Sequence, residues 1–134
     1  MKRHTIKNLA VFAAGAVGYC ALETLWRGRT HPSMALCGGT VLVGFRKLAQ
    51  RSTSRLGLCL RGCALITGCE LLCGLVFNRD LEVWDYSALP GNFRGQVCPQ
   101  FSVLWLGLCW PLSHLCPVLE EHLDLLDKNG AEGL

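Results

Sequence analysis

Four apolar runs divide the chain: Leu9 to Leu25, Met34 to Phe45, Leu56 to Phe77 and Phe101 to Leu119. At 1.5 Å per helical residue, the first, third and fourth approach the roughly 30 Å hydrocarbon thickness of a bilayer. Backbone polar groups that meet lipid must be satisfied inside their own segment, so such runs call for helices. Composition agrees. Charged residues make up 17% of the 134 residues and mean hydropathy is +0.32, against about 25% charged in an ordinary soluble domain. The expected fold is an all-α membrane protein, a single integral membrane domain over 1–134. It has about four transmembrane helices, near 9–26, 33–48, 56–77 and 100–118.

The ends of these runs carry further expectations. Lys2, Arg3 and Lys7 with Ala14-Gly15-Ala16 imitate a signal peptide. Cleavage, however, would remove a segment that the later helices need for packing, so an uncleaved first helix is expected. A lipoprotein signal fails because Tyr19 precedes Cys20. The second run is short and holds Gly38, Gly39 and Gly44. It spans if Arg46 and Lys47 snorkel to the interface, and a re-entrant segment is the alternative. Pro111 and Pro117 interrupt the fourth run, and Leu119, Leu123 and Leu126 then recur at helical spacing. The tail 119–134 therefore reads as a short amphipathic helix resting on the membrane surface.

Orientation follows from the cations. Lys2, Arg3, Lys7, the connector Arg46, Lys47, Arg51 and Arg55, and Lys128 fall on one side. They outnumber Arg27, Arg29, Arg79 and Arg94 on the other. The bias towards positive charge inside places both termini in the cytoplasm of a multi-pass protein of the cell (plasma) membrane. The Arg27–Pro32 turn and the loop 78–99 then share the outer face.

The nine cysteines lie mostly inside the apolar runs, and no C-x-x-C pair occurs. They read as small hydrophobes that let helices approach, not as zinc ligands or a disulfide framework. No metal or cofactor is called for. No basic stripe with interleaved aromatics appears, so the expected partners are the lipid bilayer and a membrane partner subunit or a second copy, not nucleic acid.

Candidate functional residues gather towards the outer end. Glu70 sits on the small-residue face of the third run, where an unpaired charged carboxylate would cost several kcal/mol. Glu23 stands one turn before Arg27. The outer connectors add His31 and a loop packed with Trp84, Asp85, Asn92 and Arg94 beside turn-forming Pro90, Gly91 and Gly95. Trp84 and Tyr86 suit the headgroup level, and Asp85 and Asn92 are expected to cap the carboxylate-lined end of the bundle.

Two blocks of sequence carry a resemblance. The first is Glu23, Arg27-Gly28, Thr30-His31, Met34 and Gly38-Gly39. The second is Trp84-Asp85-Tyr86-Ser87, Pro90, Asn92, Gly95-Gln96, Cys98, Phe101-Ser102 and Trp105. Together they resemble the bacterial family labelled putative ABC-transporter type IV, which implies a permease-like subunit. The chain has no G-x-x-x-x-G-K-[ST] phosphate loop, so ATP hydrolysis would have to come from elsewhere. Three functions follow: a transport-associated membrane component with an outer-leaflet polar site, an enzyme acting on lipid or lipid-linked head groups, and a structural or regulatory membrane protein. The first is preferred. Enzymatic work ranks below it because no nucleophile elbow or H-E-x-x-H pair is present.

Overall fold

A computed structural model describes residues 3–133. The chain forms four helices: α1 (Arg3–Arg27), α2 (Pro32–Arg51), α3 (Arg55–Phe77) and α4 (Pro99–Glu132). Among the described residues no strand forms, and extended pairing is limited to an isolated bridge between Phe93 and Val97. Starts are marked by local chemistry. Pro32 and Pro99 open α2 and α4, where a missing N–H costs nothing. Ser54 caps α3 by accepting from the Gly57 amide at 3.0 Å.

Three helices, α1, α3 and α4, are long and apolar enough to cross a membrane. α2, with 20 residues, runs unbroken but lies outside that set. In α1 only 6% of the apolar window is buried inside the protein, and Leu25 and Trp26 stand 85% and 78% exposed. A water-soluble fold would not leave such a surface uncovered; lipid covers it in a membrane protein.

α1 packs along α2, α2 along α3, and α3 along α4, with only a brief meeting of α2 and α4. The α1–α2 contact is set by glycine. A β-carbon on Gly15 would lie 2.4 Å from the Gly38 carbonyl oxygen, and one on Gly38 would lie 2.4 Å from the Tyr19 β-carbon. Small residues that let backbones touch are what drives association in lipid. The central core joins Phe45 of α2, Cys59 and Ile66 of α3, and Cys109 and Cys116 of α4. All nine cysteines are free.

The tail departs from expectation. It is no separate surface helix: α4 is one helix of 34 residues with Pro111 and Pro117 inside it. At 1.5 Å per residue it is about 51 Å long, well beyond the hydrocarbon thickness. Two reasons are physical. From Val118 to Lys128 no glycine or proline occurs, and leucine and glutamate favour helix. The extension is also held by ion pairs to the start of α1 and the end of α2: Lys7 with Asp124, Arg3 with Asp127 at 3.6 Å, and Arg46 with Glu120. Arg46 meets Glu120 through two bonds of 2.5 and 2.6 Å and reaches Asn8 Oδ1 at 3.0 Å. The described ends of the chain thus share one end of the bundle.

Candidate functional site

The opposite end carries the loop between α3 and α4, and a buried amide–indole knot ties it down. Asn78, 1% exposed, accepts from the Val83 and Trp84 amides at 2.8 and 3.3 Å. Its Nδ2 donates to the Trp84 carbonyl and to Gln96 Oε1. Gln96 returns a bond from Nε2 to the Asn78 carbonyl, and the Trp84 indole donates to the Gln96 carbonyl at 2.9 Å. Gly74 makes room for this arrangement, because a β-carbon there would sit 2.2 Å from Gln96 Oε1. Arg94 and Gly95, with φ of 53° and 68°, turn the chain so that the Gln96 amide reaches the Phe93 carbonyl. Two successive positive φ values are the mark of a tight primed turn.

Folding back in this way delivers Tyr86 to Glu70. The Tyr86 hydroxyl donates to Glu70 Oε1 at 2.8 Å, and the Trp105 indole of α4 donates to Oε2 at 2.9 Å. Burial, and then the neighbouring Glu70 carboxylate, push the Tyr86 phenol above its ordinary range, so it stays protonated and donating. Its ring stacks on Phe101 with centroids 4.4 Å apart. Arg27 closes the cluster. It pairs with Glu23 at 3.4 Å and donates to the Val83 carbonyl at 3.3 Å and to the Tyr86 hydroxyl at 3.4 Å. Glu23, Arg27, Tyr86, Glu70 and Trp105 thus form one connected chain running from α1 through the loop to α3 and α4. A cavity of about 450 Å³ opens at the same end, with Glu23, Arg27, Arg29, His31, Arg79 and Glu82 in its wall.

Of the residues expected from sequence, Glu23, Arg27 and Glu70 come together, and His31 lines the cavity. The His31 ring also caps α2 through the Ser33 amide at 3.2 Å. Trp84 lies apart from the carboxylates in the amide knot. Trp84 and Tyr86 are 4% and 5% exposed and pack with Met34 and Cys98, so they are core residues and not headgroup anchors.

Asp85 and Asn92 do not cap the carboxylates; they build the loop. Asp85 accepts from the Ser87 amide at 2.8 Å. Asn92 accepts from the Gly95 amide and donates to the Ser87 and Leu89 carbonyls. Among the described residues no hydrogen bond joins either of them to Glu23 or Glu70. Arg94 is exposed, with its guanidinium over the Phe93 ring at 5.6 Å. The residues missed were Tyr86 and Trp105 as Glu70 partners, and Asn78 and Gln96 as anchors. Trp105 left a signal: an indole N–H on a stripe of cysteine and serine needs an acceptor when it is buried.

Comparison with known proteins adds one finding. The family model described as putative ABC-transporter type IV matches residues 8–132. No curated protein and no solved structure matches the chain.

Proposed function

The chain belongs to the putative ABC-transporter type IV family, and from that premise we propose that it is a permease-like membrane component with a polar recognition site at its loop end. On this reading it forms a single membrane domain over 1–134 in the plasma membrane. α2 spans alongside the other three helices, both termini are cytoplasmic, and the loop end faces outwards. Without a phosphate loop, it works with a partner subunit or as an oligomer. The observation that carries the proposal is the buried Glu70 carboxylate. It is linked through Tyr86 to Arg27, and Arg27 stands in the wall of the 450 Å³ cavity. Ionisable groups at membrane depth cluster where ligands or ions pass. His31, Arg79 and Glu82 in the same wall offer charges of both signs to a polar ligand.

The test is uptake of a panel of labelled polar solutes in cells lacking the chain. Loss of uptake that the intact chain restores, and Glu70→Gln at equal membrane abundance does not, supports the proposal. Full rescue by Glu70→Gln overturns it. A second reading has one observation behind it: both Glu70 oxygens already hold a hydrogen bond, as a purely structural residue would require. That reading predicts that Glu70→Gln lowers detergent stability and uptake in parallel.

A further inference from the structure

Between α1 and α4 the bundle has a seam. The two helices do not pack along each other; ion pairs span the seam at the terminal end, and Tyr19 and Trp105, with ring centroids 6.2 Å apart, face each other across it. Two apolar clefts of about 300 and 310 Å³ lie along it and share Tyr19, Leu22 and Leu108. Together they follow α1 from Ala14 to Trp26, about 18 Å of helix axis. That length is close to one leaflet, half of a roughly 30 Å hydrocarbon core.

The seam is joined to the polar cavity by shared residues. Glu23 and Arg27 line both the apolar cleft and the 450 Å³ cavity. The cavity wall also carries Arg29, Arg79, Asp80 and Glu82. Among the described residues the recorded ion pairs include none of these four. Two cations and two carboxylates that share a cavity without pairing offer complementary charge to a head group that itself carries both signs.

We propose that the seam and the cavity together hold one phospholipid with a zwitterionic phosphate-and-ammonium head. Its phosphate lies by Arg29 and Arg79, its ammonium by Asp80 and Glu82, and one acyl chain lies along α1 between Tyr19 and Leu108. Guanidinium groups suit phosphate because their forked donors match its oxygens. The inference rests on the loop-end cavity being a ligand site and names its ligand class as an amphiphile instead of a free solute.

The experiment uses the full chain, purified in mild detergent, stripped of lipid and titrated by native mass spectrometry. The probes are phosphatidylethanolamine, phosphatidylglycerol and soluble phosphoethanolamine. The expected result is one retained phosphatidylethanolamine per chain, with about tenfold preference over phosphatidylglycerol, a difference equal to about 1.4 kcal/mol. Leu22→Trp and, independently, Leu104→Trp fill the cleft from half-exposed positions and should abolish retention while the helical circular dichroism is unchanged. Arg79→Gln with Glu82→Gln should keep a lipid bound but lose the preference. Equal binding of both lipids to the intact chain, or retention unaffected by both tryptophan substitutions, overturns the inference. Phosphoethanolamine binding as tightly as the lipid overturns it too, yet leaves the solute reading of the cavity standing. Lipid binding with normal uptake in Glu70→Gln cells would instead remove the transport proposal and keep the lipid.

Discussion

The two ends of the bundle handle charge in opposite ways. At the terminal end, cations of α1 and α2 meet carboxylates of α4 one to one: Arg3 with Asp127, Lys7 with Asp124 and Arg46 with Glu120. At the loop end the most deeply placed carboxylate, Glu70, is served by two neutral donors, while Arg29, Arg79, Asp80 and Glu82 face a cavity. The first pattern is a clamp, complete in itself. The second leaves charge available to something else, and it is supported by an amide knot that carries no charge at all. Ion pairs between helices therefore hold the terminal end shut, whereas the loop end has one pair within α1, Glu23 with Arg27, and leaves the other charges beside a shaped cavity.

The contrast can be broken most forcefully at Gly74. Gly74→Ala must displace Gln96 from the Asn78 knot, and overpacking together with broken buried hydrogen bonds costs about 3 kcal/mol. Limited proteolysis should then cut within residues 79–97 while the terminal end stays protected. Next comes Arg46→Ala, which leaves Glu120 without its two bonds. Because the Glu120 side chain is 30% exposed, water offsets part of the loss, and about 2 kcal/mol is expected from thermal melting in detergent. A double-mutant cycle with Glu120→Gln should recover most of that figure as coupling.

Asp124→Asn is a smaller test. Exposed pairs contribute little and are screened by salt, so raising ionic strength should erase the difference from the intact chain, whereas the effect of Gly74→Ala should persist. Arg94→Gly should stabilise the loop by about 1 kcal/mol, because glycine accepts the positive φ that arginine adopts at a cost. Last is acid sensitivity. Hydrogen bonds from Ser87 hold Asp85 below the usual carboxylate range. Its contribution is thus present above the unfolded value near pH 3.9 and fades as pH falls through the lower folded value. Asp85→Asn should remove that acid dependence of loop proteolysis and leave the neutral-pH pattern unchanged.

The helices were legible because apolar runs bounded by arginine and proline leave little choice of structure. Glu70 was legible for a related reason: a carboxylate among cysteines and glycines has to find partners. Which partners it finds was not legible, since Tyr86 and Trp105 lie 16 and 35 residues away. Their arrival depends on helix rotation and on how the loop folds back. Asp85 and Asn92 misled because acids and amides that build turns look like acids and amides that bind. Pro111 and Pro117 misled about α4 because a local helix penalty was set against ion pairs whose other halves lie in α1 and α2. The family resemblance rested on the same two blocks that the structure joins through Arg27 and Tyr86.

The clamp at the terminal end also has a consequence for how the molecule comes into being. Lys7 and Asp124 are separated by 117 residues, so the lysine of α1 is neutralised only once α4 has been made. Contacts of such long separation form late. Until then α1 stays in the bilayer on the strength of its glycine contact with α2 and its own apolar surface. A chain cut short before Asp124 is therefore expected to keep its loop in place and to leave its base open, as proteolysis of such a truncation would read.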